Sequence, residues 1–92
     1  IEDLCQHMRN DPIFYRKMYY PTMATMQDKL KKGEPIDQRQ HMEPMVDKAC
    51  QHYCSKYDIP KRPEELLSDE DKTAIIEKIY GDEMEMIRDG EY

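Results

Sequence analysis

The chain has 92 residues, with 14 Lys and Arg against 20 Asp and Glu for a formal net charge of −6. That length supports a single small helical domain, 1–92, with a small core and a thin margin of stability. A composition 37% charged and 38% hydrophobic excludes a disordered tract, and no apolar run approaches the roughly 18–20 residues of a bilayer-spanning helix.

Residues 1–9 read as a short helix with Ile1, Leu4, Cys5 and Met8 on one face. Asn10-Asp11-Pro12 then gives a stop and a restart, Asp11 as cap and Pro12 in the first helical position. From Pro12 the pattern stays helical to Lys32 and stops at Gly33. Pro21 interrupts it, but Tyr15, Tyr19, Met23, Met26 and Leu30 keep helical spacing across the proline, which favours one bent helix over two. After the turn at Gly33-Glu34-Pro35, Asp37 can cap a segment reaching Tyr57, with Pro44 as a second internal bend; a start at Pro44 is the alternative. Asp58 to Pro63 reads as a loop, because prolines at 60 and 63 exclude a regular helix. Ser68-Asp69-Glu70-Asp71 is a helix start, and the helix should run to about Asp89 and end at Gly90. Its apolar stripe is Ile75, Ile76, Ile79, Tyr80, Met84 and Ile87, weakened in the middle by Gly81. The strict alternation of a strand appears nowhere, so the expected fold is all-α: a compact bundle of about four helices with proline bends near Pro21 and Pro44.

The stretch most suggestive of chemistry is ACQHYCSKY, residues 49–57, which puts Cys50, His52 and Cys54 within five positions. On a helix at about 100° per residue, Met42, Val46, Ala49, Cys50, Tyr53, Cys54 and Tyr57 share one side. His52 lies about 200° from Cys50 and should point to the far side, into water. A tetrahedral zinc site needs convergent ligands, so Cys50 and Cys54 could supply only half of one, the rest coming from Cys5, His7 or His41. Catalysis by a thiol needs a histidine held against it, and His52 faces away. The cysteines therefore read as small apolar core groups, with no catalytic, cofactor or metal residue assigned. CQHM at 5–8 is echoed by CQHY at 50–53, but four letters are too few to claim a repeat. Three cysteines, an odd number, with no signal-peptide pattern, point to a reducing, cytoplasmic setting.

Charge is unevenly spread. Residues 1–63 carry a net +2 and residues 64–92 a net −8. The acids of the C-terminal helix do not make a calcium loop, since Gly81 sits in no EF-hand frame. No dinucleotide-binding, P-loop, zincin or nucleophile-elbow motif occurs. FYRKMYY, residues 14–20, gathers aromatic and cationic side chains that suit a contact surface, although tyrosines at helical spacing also pack inward.

The stretches PMVDKACQHYCSKYDIP (44–60) and LSDEDKTAIIEKIYGDEMEMIRDGEY (67–92), closing on Arg88-Asp89-Gly90, resemble the small helical proteins of tailed bacteriophages and prophages. The resemblance covers about half the chain and implies a phage or bacterial accessory protein, with no site residue carried over.

The expected activity is non-enzymatic: binding of a protein partner, or self-association, through Tyr15, Arg16, Lys17, Tyr19 and Tyr20 or through Glu83, Glu85 and Asp89 of the acidic helix. The alternatives are a nucleic-acid accessory protein with a basic face of Arg16, Lys17, Lys29, Lys31 and Lys32, and a small zinc-binding protein.

Overall fold

Six α-helices and one π turn, joined by short connections, make up the computed structural model, which describes residues 2–92. They are α1 (Glu2–Asn10), α2 (Pro12–Phe14), the π turn (Tyr15–Tyr19), α3 (Tyr20–Lys31), α4 (Gln38–Lys56), α5 (Pro63–Leu66) and α6 (Asp69–Asp89). The α2, π and α3 pieces form one unbroken rod, so four substantial helical units build the all-α bundle, and no strand occurs among the described residues. No helix is long and apolar enough to cross a membrane.

The helix boundaries follow from capping chemistry. Asp11 ends α1 and starts α2, its carboxylate accepting from the amides of Ile13 and Phe14. Asp37 does the same for α4 through the Gln40 amide. Ser68 and Asp71 close a reciprocal capping box at the start of α6. At three helix ends a backbone amide past the helix reaches back five positions: Glu34 to Lys29, Ile59 to Cys54 and Glu91 to Met86. This geometry needs a left-handed residue just past the helix. Gly33 and Gly90 supply it in two cases, but Asp58 supplies it in the third, at φ +51°. The expected loop at 58–63 gives way to α5 at its end, because Pro63 can open a helix at the first position even though it cannot sit inside one.

Neither internal proline ends its helix. Pro44 lies within α4 on the solvent side. Pro21 lacks an amide hydrogen, and the turn before it widens: the Tyr20 amide reaches back five residues to the Tyr15 carbonyl. Hydroxyls of Thr22 and Thr25 donate to the carbonyls of Met18 and Pro21. This π turn shifts the apolar register by one position. Phe14 and Tyr19, five apart, are both buried, while Tyr15 of the expected stripe is half-buried and Leu30 is exposed.

The core is one continuous cluster. Leu4, Cys5 and Met8 come from α1, Met23 and Met26 from α3, and Met42, Met45, Val46, Ala49 and Cys50 from α4. The α6 residues Ile75, Ile76, Ile79 and Ile87 close it, each worth about 1.5–3 kcal/mol as an upper estimate. Ile1, expected on the α1 face, lies outside the described residues. Tyr57, expected on the α4 stripe, is exposed. The radius of gyration is 13.2 Å, near the roughly 12 Å of a compact chain this long.

Candidate functional site

Of the eight residues expected to form a contact surface, five are exposed, two are buried and one, Tyr15, is half-buried. Arg16, Lys17 and Tyr20 on the helical rod, and Glu85 and Asp89 on α6, are exposed. Tyr19 and Glu83 are not: Tyr19 is 1% exposed and Glu83 9%, so neither can meet a partner directly. They meet each other instead. The Tyr19 hydroxyl donates to Glu83 Oε1 at 2.7 Å and accepts from Arg9 Nε at 3.1 Å, and the Tyr92 hydroxyl donates to Glu83 Oε2. Arg9 extends the network to Asp82 at 3.0 Å. Burial, followed by the hydrogen bond to Glu83, pushes the Tyr19 phenol above its ordinary pKa, and the Tyr92 phenol moves the same way for the same reasons. Tyr15 is half-buried, stacked on Tyr19 with ring centroids 5.2 Å apart. Glu83 lies four residues after Ile79 and four before Ile87, on the apolar stripe of α6, and that spacing sets it apart from Glu85 and Asp89.

The proposed basic face also divides. Arg16 and Lys17 lie roughly 20 Å along the rod from Lys31 and Lys32, at about 1.5 Å per residue. Lys32 is paired with Asp28 at 3.0 Å. The cations fall into two groups along the rod.

The three thiols are free and buried, as the helical periodicity implied. Burial raises the Cys50 thiol to about 11 and also raises Cys5. Both stay protonated at neutral pH, which is the opposite of what a nucleophile or ligand needs. Among the described residues no metal-ligand group includes a cysteine or His41.

His52 corrects the sequence reading. It does face away from the thiols, but it is half-buried against α1, not in open water. His52 Nδ1 and His7 Nε2 share a hydrogen bond of 2.8 Å, with the rings tilted at 4.9 Å between centroids. Phe14, Tyr53 and Tyr57 surround the His7 ring. Desolvation, then the neighbouring His52, lowers the pKa of His7 and favours its neutral form. Asp11 lies beside the pair. The Phe14 amide, then the Lys56 ammonium at 2.9 Å, holds its carboxyl down at about 2. The ligand atoms of His7, Asp11 and His52 all fall within 4.8 Å of one another, the one such group among the described residues. His7 and His52 are 45 residues apart in the chain, and the packing of α1 on α4 brings them together.

Next to this cluster an open groove of about 380 Å³ runs between the rod and α4. Its lining is Ile13, Phe14, Met18 and His52, edged by Lys17, Lys48 and Gln51. Ile13 stays 55% exposed there although it is aliphatic. Beyond its own rod the π turn packs chiefly on α1. Neither Lys17 nor Lys48 has a carboxylate partner among the described residues, whereas Lys32, Lys56 and Lys72 all do.

No protein-family model matches the chain, and no curated protein or solved structure shows significant similarity to it.

Proposed function

We propose that this protein is a non-enzymatic interaction module that captures an amphipathic helix of a protein partner in the groove between residues 13–18 and α4. The carrying observation is the pairing of an apolar floor with two unpartnered lysines, Lys17 and Lys48, at its edge in a chain of net charge −6. The rod and α4 flank an apolar floor of Ile13, Phe14 and Met18, a trough into which a third helix lays an i, i+3, i+4 stripe. The lysines favour acidic residues flanking that stripe, and electrostatic complementarity of this kind mainly sets specificity and association rate. The groove is open and lacks convergent polar groups, which fits a helix better than a small molecule.

A fluorescently labelled amphipathic helical peptide with an Ile/Leu stripe and Glu flanks, and its Lys-flanked twin, test the reading by polarisation. Binding of the acidic peptide alone, weakened by salt and lost in Ile13→Asp, supports it. Equal binding of both twins, no binding of either, or insensitivity to Ile13→Asp overturns it. Occupation of the groove by a second copy, seen as a dimer that Ile13→Asp dissolves, would also overturn the choice of partner.

A further inference from the structure

The His7–Asp11–His52 cluster is self-satisfied as it stands, yet its parts are arranged as ligands are. His7 and Asp11 are four residues apart across the end of α1, and the Asp11 amide bonds the His7 carbonyl at 3.0 Å, so both side chains leave one helical turn side by side. His52 arrives from α4 and aims Nδ1 at His7 Nε2. His7 is 7% and Asp11 8% exposed, so the cluster sits in a low-dielectric corner between the two helices. A tetrahedral ion at about 2.0–2.1 Å from each ligand wants ligand atoms roughly 3.3 Å apart. The two ring nitrogens at 2.8 Å need to part by about half an ångström to reach that spacing. A cation already holds the carboxylate: the Lys56 ammonium, whose side chain is 47% exposed and has solvent to swing into.

We propose that His7 Nε2, His52 Nδ1 and an Asp11 carboxylate oxygen form a binding site for a divalent ion of the zinc class, with Lys56 as the competing occupant. Two imidazoles and one carboxylate suit zinc, cobalt or nickel better than magnesium or calcium. On binding, whichever ring carries the shared proton moves it to its other nitrogen, so both facing nitrogens become ligands and no net proton is lost. The Lys56 ammonium leaves Asp11 for water, and water fills the remaining coordination position. The ion would clamp α1 to α4. This assignment stands apart from the docking proposal, although His52 borders both places.

The test titrates the full chain, without a histidine tag, with Zn²⁺ against a chromophoric chelator and with Co²⁺ by visible absorption. One ion per chain is expected, with cobalt d–d bands and no thiolate charge-transfer band. Asp11→Asn keeps the helix cap, since Asn caps as well as Asp, and should weaken binding by about 10–100-fold. His52→Gln should do at least as much. Lys56→Met, at an exposed position, should tighten binding by about tenfold, because it removes the cation that competes for the Asp11 carboxylate. Circular dichroism of each variant confirms its fold before titration. Absence of one-to-one binding, a cobalt–thiolate band, or affinity unmoved by Asp11→Asn and Lys56→Met would overturn the assignment.

Discussion

Replacing Tyr19 by Phe removes one oxygen from a buried position and leaves the ring, so nearly all of its effect should come from hydrogen bonding. Two bonds are lost, one donated to the Glu83 carboxylate at 2.7 Å and one accepted from the Arg9 guanidinium at 3.1 Å. Bonds to charged groups are worth about 1.5–3 kcal/mol each, and Glu83 keeps Tyr92 as a donor, so the expected net loss is about 2–4 kcal/mol. That is a large part of the roughly 5–14 kcal/mol available to a chain of this length. The melting temperature should fall by about 10–20 °C. Urea unfolding followed by circular dichroism gives the free energy, and a cycle with Glu83→Leu isolates the pair, for which a coupling of about 1–2 kcal/mol is expected. If Tyr19→Phe costs under about 0.5 kcal/mol, or the two effects simply add, the hydroxyl is solvated and Tyr19 belongs on the surface after all.

Three further outcomes follow from the same coordinates. Gly81 lies mid-α6 with nothing within 4 Å of an added Cβ, so Gly81→Ala should stabilise by about 1 kcal/mol, read as a raised urea midpoint at unchanged slope. Asp58→Gly should stabilise by about 0.5–1 kcal/mol, because it relieves a side chain held at φ +51°, and thermal melts of the pair of variants would show whether the gains add. Burial raises the Cys50 thiol from 9.0 to about 11, favouring the protonated form in the fold. Stability from that group is complete below pH 9 and is lost as pH rises through 11, with the two raised tyrosines acting in the same direction at higher pH. Melting temperatures across pH 7–11 should therefore decline on the alkaline side, and less steeply in Cys50→Ala.

The helical architecture was legible because local chemistry decided it. Asp11, Asp37 and Ser68 start helices where their side chains can cap, and Gly33 and Gly90 stop them where a left-handed residue is required. The inward thiols of α4 followed from three- and four-residue spacing. What failed had different causes. The π turn before Pro21 moved the buried register from Tyr15 to Phe14, a local effect of a proline that lacks an amide hydrogen. Glu83 sits on the apolar stripe of α6 between Ile79 and Ile87, and what periodicity cannot report is its partners, Tyr19, 64 residues away, and Tyr92. His52 faces away from the cysteines, as the helical wheel required, but what fills that side is α1, which no periodicity within α4 can report.

The docking account is tested most directly by inverting its charges. Lys17→Glu with Lys48→Glu, two exposed positions with no ion pair to break, should leave the fold unchanged while switching the groove's preference from the Glu-flanked to the Lys-flanked helix. The account predicts that exchange of partners at low salt. A double variant that still prefers the acidic peptide would contradict it.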